Sequence, residues 1–496
     1  MGIIKRQGFY YTLISYTGVL IGTINTLFLY VRILETDQIG EWNNLTDIGL
    51  LFTQLAQIGL PSIISRYFPR FRSDDKIHGG LTGWVFIMGA ISFLATTILF
   101  LLLKDTIIHW YTKSPYFPKI ILLVIPYSFF LLANALLDIL SRVIYKGLLF
   151  SFMNEVVVRL GTSIGLVLYF FKLVDFYQFL LIYIGLTGSI TLALFFQIWR
   201  SGEFKLKIKT DFFKVQTPAL IQYGFFTVLA GSTFLLVQKL DKIFLTIYQG
   251  DKVQGVYSIF LYIIAVIRIP SIAIGRVSYQ LVADFWENKN IPMVEEIYKK
   301  TSLVQMIIGL FLFIGLALNK EFLVFVLHKP AYQNQFPIFY ILGLAVLVDT
   351  TTGLNTYILT VSHKYKISTG ILGVSVLVCG LANWILTPKL GATGAALSLF
   401  ITYFFYNFFN TLYLQIRFKL QPFSPAHIKV AMIGLTTFLS IYFIPNLTNH
   451  YLDVIIRAVL TSLIFGGLIL GFKVSEDIND QVQVFLNKGI RIFKKD

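Results

Sequence analysis

About fourteen apolar stretches near twenty residues long follow one another along this chain, at roughly 11–33, 39–62, 81–103, 120–143, 153–171, 177–198, 218–247, 254–280, 301–319, 336–360, 367–387, 393–416, 428–444 and 451–472. Each is long enough to cross the hydrocarbon core of a bilayer as a helix. Hydrocarbon offers no partner to a backbone amide or carbonyl, so only helices or a closed barrel can span it. The alternating spans of ~10 residues that mark a barrel are missing. The pattern therefore predicts an all-α polytopic membrane protein, and a composition 56% hydrophobic and 13% charged agrees. The opening "MGIIKRQGFYYTLISYTGVL" is basic and then apolar, as a secretory signal is. Its apolar part runs on to Val31 without a small-residue cleavage site, so it reads as the first retained helix.

The net charge of +16 raises the question of nucleic acid, but the basic residues sort by connection. Counting from an inside N-terminus, the even connections carry Arg66, Arg70, Arg72 and Lys76; Arg142 and Lys146; Arg200, Lys205, Lys207, Lys209 and Lys214; Arg276, Lys289, Lys299 and Lys300; Lys364 and Lys366; and Arg417, Lys419 and Lys429. With the termini, roughly 27 Lys/Arg fall on that side and about 9 on the other, a positive-inside asymmetry that places both termini in the cytoplasm. The surplus charge is then topology and attraction to anionic membrane lipids, with no nucleic-acid partner. Cys379 is the single cysteine, which excludes an intramolecular disulfide. The six histidines show no ligand spacing, and neither a P-loop nor a G-x-S-x-G elbow occurs, so no metal, cofactor or catalytic residue is expected. No polar segment much exceeds about 25 residues, too little for a soluble catalytic domain, and function is expected among the helices.

The basic segment 200–217 and the junction "KVQTPALIQYGFF" divide the first twelve spans into six and six. The expected organisation is a six-helix lobe at 1–199, the cytoplasmic linker 200–217, a second six-helix lobe at 218–416, helices 13 and 14 within 417–472, and a cytoplasmic tail at 473–496. "ETDQIGEWNNL" after span 1 resembles "QGDKVQGVYSI" after span 7, and "LPSIISR" resembles "IPSIAIGR" at the ends of spans 2 and 8. Six spans restore the same orientation, so the halves would be related by an axis along the membrane normal, as in a rocking transporter. "EFLVFVLHKPAY" is too short to cross and is expected at the outer interface.

Three segments together resemble the polysaccharide (O-antigen-type) flippase family, within the superfamily that also holds multidrug-and-toxin extruders and lipid-linked peptidoglycan precursor flippases. They are "KLDKIFLTIYQGDKVQGVYSI", with Asp241 near a helix end and Gly255 and Tyr257 beginning the next; its first-half counterpart with Gly40 and Trp42; and "NWILTPKLGATGAALSLFITYFF" at 383–405. The resemblance covers most of the chain in span count and order and about a tenth of it residue by residue. It implies a flippase that carries a polyprenyl-diphosphate-linked oligosaccharide across the bacterial cytoplasmic membrane by alternating access, with other glycan-assembly proteins as partners. The third segment also has a structural reading: Pro388 ends a helix, Gly391 and Gly394 permit a tight turn, and Ala395 and Ala396 let the next helix pack closely.

Polar residues within the spans gather on faces. Asn43, Asp47, Gln54 and Gln57 fall within about 80° of one another on a helix, Gly18, Gly22, Asn25 and Arg32 share a face, Asn134, Asp138 and Arg142 step by four, and Asp349 leads a threonine stripe. Such stripes line a hydrated interior or grip one another. Asn25, Asn43, Gln54 and Gln57 are the candidate cavity lining, with helix-to-helix bonding the other reading for the glutamines. Asp138 with Arg142 reads most simply as an i,i+4 pair.

The cations form a ladder: Arg66 and Arg276 at the inner mouth, Arg159 above them, Arg268 near the middle, and Lys239, Lys242 and Arg32 toward the outside. Arg32, Arg66 and Arg276 sit near helix ends, where snorkelling to the interface is ordinary, and the two lysines could do the same. Arg268 has no acid at i±3 or i±4, so its partner is another helix, water or an anionic ligand. Asp241 can pair locally while the lysines face an opening. Unpaired, the seven cations would suit a diphosphate, which arginine binds in bidentate fashion. Asp47 and Asp349 are the candidates for H+ or Na+ coupling, or else they neutralise a cation. Three competing readings are a drug/cation antiporter of the same superfamily, expected to line its cavity with aromatics and acids; a membrane glycosyltransferase or glycan polymerase, which would need a longer outer loop; and a non-transporting scaffold of a glycan-assembly complex.

Overall fold

A computed structural model describes residues 2–204, 217–362, 364–475 and 479, and among them every regular element is a helix. Among the described residues, twelve helices are long and apolar enough to cross a membrane, or thirteen when the bent pair Thr36–Ala56 and Leu60–Phe71 counts as one span. The sequence predicts about fourteen spans. The remaining predicted span exists as the helix Pro425–Tyr442, but its 18 residues begin with a polar turn carrying His427 and Lys429, which shortens its apolar part. Most of the predicted linker and most of the predicted tail lie outside the described residues.

The chain forms two compact units, Met1–Ser258 and Ile259–Asp496. In the first, α1 (Gly2–Ile24) runs into a π-helical turn, Asn25–Tyr30. There follow α2 (Thr36–Ala56), α3 (Leu60–Phe71), α4 (Leu81–Trp110) and α5 (Val124–Val143). A second π-helical turn, Met153–Val157, leads into α6 (Val158–Phe170), then α7 (Phe176–Arg200) and α8 (Thr217–Gln249). The next helix, α9 (Asp251–Glu287), begins in this unit and continues through the second. The second unit adds α10 (Ile291–Leu318), α11 (Pro337–Thr351), α12 (Asn355–Val361), α13 (Tyr365–Leu390), α14 (Ala392–Phe418), α15 (Pro425–Tyr442) and α16 (His450–Gly471). A core of Ile307, Val430, Ile433 and Phe465 joins α10, α15 and α16. Helix α8, which the sequence reading puts at the start of the second lobe, packs on α2 and α3 inside the first unit.

Lipid tails are as apolar as leucine, so helix association in a bilayer relies on close packing and polar contacts rather than on hydrophobic burial. Small residues stand where that packing is tightest. The chain breaks between α2 and α3 at Ile58 (φ 37°) and Gly59 (φ 75°), bending the pair by 44°. A side chain at Gly59 would collide with the carbonyl of Gly224 on α8. Among the described residues, the two motif glycines show the tightest approach: a Cβ at Gly40 would strike the carbonyl of Asp251, and a Cβ at Gly255 would strike the carbonyl of Thr36. Each glycine thus presses on the carbonyl four residues before the other, the reciprocity that two copies of one motif give when a two-fold relates them.

At the third motif, Pro388 lies inside α13, and Gly391 (φ 58°) rather than the proline ends the helix. A side chain at Gly394 would meet the carbonyl of Leu386, and Ala395 and Ala396 are fully buried.

Valine at Gly255 or Gly40 is expected to lower the melting temperature of the purified protein and its monodisperse yield, a cost of about 1–3 kcal/mol or more from overpacking against backbone. Alanine at Gly380, where an added Cβ would have nothing within 4 Å, should leave both unchanged. Wild-type stability in Gly255→Val would mean that α2 and α9 do not approach this closely.

Candidate functional site

The first unit holds a polar network built from α2, α8 and the start of α9. Asp47 on α2 has a nearly inaccessible carboxylate, 4% exposed. Its Oδ1 is 2.7 Å from Lys239 Nζ, and its Oδ2 is in contact with Lys242 Nζ. The lysines are three residues apart on α8 and so reach the same acid. Asp241, between them in sequence, turns away. Its Oδ2 accepts from the Tyr257 hydroxyl at 2.6 Å, and its Oδ1 accepts from the Lys242 amide at 2.9 Å. One turn earlier on α2, Asn44 donates to Asp251 Oδ1 at 2.6 Å and accepts from Thr246 Oγ1 at 3.0 Å, while Ser114 donates to the other Asp251 oxygen. Helices α2, α8 and α9 are therefore fastened by charge and hydrogen bonds alongside the glycine contact.

A second cluster pins Arg159 to α1. Its guanidinium makes a 2.6 Å ion pair with Glu155, one turn earlier, and donates to the Gly18 carbonyl. Gly22 leaves the room that the guanidinium fills, since a Cβ there would overlap Arg159 Nη1. Asn25, buried at the start of the first π-helical turn, donates to the Arg159 carbonyl at 2.9 Å and accepts from Ser163 at 2.6 Å. Both π-helical turns flank this contact, and such turns recur at functional positions in helices.

In the second unit, Arg268 on α9 meets Asp349 on α11 at 2.9 Å. Asn407 on α14 donates to the other Asp349 oxygen at 3.1 Å and accepts from Thr352 and Asn355, which flank a break at Gly353 (φ 70°) between α11 and α12. Next to these polar groups lies a cavity of about 590 Å³ with an apolar wall that includes Leu344, Phe400, Phe404 and Phe408. Asn407 and Thr352 stand at its edge.

These placements correct the sequence reading. Arg159, Arg268, Lys239 and Lys242 are not unpaired: each meets a carboxylate, because an ionised group at membrane depth costs several kcal/mol unless it is neutralised nearby. Asp47 and Asp349 are among those carboxylates. Lys239 and Lys242 turn to Asp47, and Asp241 pairs with Tyr257. Asn25 bonds across to the helix that carries Arg159, and Asn43 donates to the carbonyl of Ile39 on its own helix at 2.7 Å. Gln57 donates to Gln54 at 2.5 Å, and Gln54 lies against Gly231. Arg32, Arg66 and Arg276 are exposed and have no carboxylate within ion-pair distance among the described residues. Asp138 and Arg142 form the expected i,i+4 pair, at 2.8 Å.

The sequence reading missed Glu155, Asn44, Asp251 and Asn407. Glu155 was findable, standing four residues before Arg159. The others join distant segments and leave no local spacing signal.

The chain matches no family model. The uncharacterised membrane protein MJ1068 of Methanocaldococcus jannaschii is 23% identical over 273 residues, 54% of this chain and 53% of its own length. The chain thus spans about half the length of the curated relative it matches. Among solved structures, the lipid II flippase MurJ in an inward closed conformation is similar with TM-score 0.75 and 13% identity, over 94% of this chain and 99% of that one. An inward-facing multidrug resistance transporter of the MATE family, in the MOP superfamily, gives 0.60 at 12% identity over 81% and 94%. A MATE protein in complex with MaL6 gives 0.55 at 10% identity over 84% and 96%. The chain is a polytopic helical membrane protein whose fold is the one these flippase and multidrug-transporter structures share.

Asp47→Asn keeps the shape of the side chain and leaves two lysines without a counter-charge. It should destabilise the protein by about 3–5 kcal/mol, read as a lowered unfolding temperature in detergent. Adding Lys239→Met and Lys242→Met should recover most of the loss. Glu155→Gln, at a pair whose partners are both near 30% exposed, should cost no more than about 1 kcal/mol. Equal effects of Asp47→Asn and Glu155→Gln would show that Asp47 is solvated like a surface acid.

Proposed function

We propose that this protein is a transporter rather than an enzyme, and that it moves a lipid-linked, phosphate-bearing oligosaccharide of the polyprenyl-diphosphate class from the inner to the outer leaflet of the cytoplasmic membrane. It would do so by alternating access, for surface polysaccharide synthesis. The observation that carries the reading is the set of ion pairs joining different membrane helices, Asp47 with Lys239 and Lys242, and Arg268 with Asp349. A purely structural bundle gains little from charges at this depth, whereas a protein that alternates between conformations can exchange such pairs for an anionic or cationic ligand. Support comes also from the likeness in fold to MurJ over nearly the whole chain and from the segments that resemble polysaccharide flippases. The exposed arginines Arg66 and Arg276 would meet the headgroup first, and Arg268 would receive it after release from Asp349. Asp349 and Asp47 are the groups through which H+ or Na+ would couple.

The pairing also strengthens one alternative. An interior whose cations are already neutralised suits a cationic substrate better than an interior of free arginines, and MATE transporters share the fold. Export of a drug or organic cation is therefore the second reading.

Two measurements separate them. Deleting the gene should cause completed lipid-linked glycan units to accumulate on the cytoplasmic leaflet; truncated units would indicate a transferase. In proteoliposomes, a lipid-linked oligosaccharide should become accessible to an externally added glycosidase only when the protein is present. Arg268→Ala is expected to slow that appearance at least about tenfold with normal membrane insertion, as loss of one charge-assisted contact implies. Ion-driven efflux of an organic cation without any glycolipid movement would favour the second reading.

A further inference from the structure

The end of α3 carries cations of a different kind from those in the networks above. α3 is sharply amphipathic: Leu60, Ile63, Ile64 and Phe68 are buried, and Ser65, Arg66, Pro69 and Arg70 are exposed on the other side. Arg66 and Arg70 lie one turn apart and point the same way. Neither has a carboxylate within ion-pair distance among the described residues. What they have is aromatic rings. The Arg66 guanidinium lies 4.5 Å from the ring centre of Tyr223 on α8 and 5.7 Å from that of Tyr67, and Arg70 lies 5.6 Å from Tyr67. Tyr67 and Tyr223 themselves meet edge to face at 5.9 Å. Of the acids nearby, Asp75 accepts from Ser73 and the Ile77 amide, Glu203 pairs with His78 at 2.6 Å, and the exposed Asp74 forms no ion pair with either arginine.

A guanidinium stacked on a ring is held in place through its face while the N–H groups on its edge stay available, and phosphate oxygens bind that edge in bidentate fashion. A carboxylate partner would have occupied it. The position is also suited to a lipid, since the positive-inside asymmetry puts this end of α3 at the cytoplasmic surface, where lipid phosphates lie.

We propose that Arg66 and Arg70, held by Tyr67 and Tyr223, form a binding site for a lipid-borne phosphate at the cytoplasmic membrane surface. The phosphate comes either from a resident anionic phospholipid or from the diphosphate of the cargo as it is loaded. Only the second source rests on the flippase reading, and the test contains no transport step, so the two can fail separately.

The full-length protein in phosphatidylcholine nanodiscs is titrated with farnesyl diphosphate, a soluble prenyl diphosphate, and separately with increasing phosphatidylglycerol in the disc. Arg66→Gln with Arg70→Gln should weaken farnesyl diphosphate binding by at least about tenfold, the loss expected for charge-assisted contacts. Tyr223→Phe, which keeps the ring, should bind as wild type does, and Tyr223→Leu should bind several-fold more weakly. Arg417→Gln, which removes one charge from the end of α14, controls for net charge and should have no effect. Competition by phosphatidylglycerol assigns the site to resident lipid, and its absence assigns it to the cargo diphosphate. Unchanged affinity for both probes in the arginine variant, or an equal loss in Arg417→Gln, would overturn the proposal.

Discussion

An ammonium or carboxylate at bilayer depth has no water to solvate it, and the structure answers that constraint by matching opposite charges across helices. Asp47 serves two lysines at once. Asp241 and Asp251, on the same side of the unit, are held by neutral donors, Tyr257, Asn44 and Ser114. The arrangement ties α2 to α8 and to the first turns of α9 by contacts that lose their partners if any one helix shifts. Removing one member leaves another charge stranded, which is why such clusters act as units rather than as sums of pairs.

The second unit solves the same problem with a broken helix. Where the chain breaks at Gly353, Thr352 and Asn355 would otherwise leave polar groups inside hydrocarbon. Asn407 collects both of them and passes its own amide hydrogen to Asp349, which in turn holds Arg268. A charge pair, a chain break and an apolar cavity of about 590 Å³ therefore share one place. A shift of α14 relative to α11 would be felt at all three.

Helix class and helix placement were legible in the sequence, because each depends on local composition: twenty apolar residues make a span whatever surrounds them. Glycine positions were legible as motif and became meaningful only as contact, Gly40 against Gly255. Pairing was the part that could not be read. Asp47 and Lys239 are almost two hundred residues apart, and nothing in either neighbourhood names the other. Arg268 shows the limit well: the absence of an acid at i±3 or i±4 left another helix, water or an anionic ligand as its partner, and Asp349 could be recognised only once α9 and α11 were seen side by side. Arg159 is the opposite case, its partner Glu155 standing one turn away in plain view.

The mutual seat of Gly40 and Gly255 involves main chain on both sides. Side-chain contacts can loosen gradually, one rotamer at a time, but a backbone pressed on a backbone has nothing to rotate aside. Any movement of α2 against α9 at that point is therefore a movement of backbone against backbone. Such a movement has to be absorbed at the joints beside them, of which Gly250 (φ 87°), the single residue between α8 and α9, is the nearest.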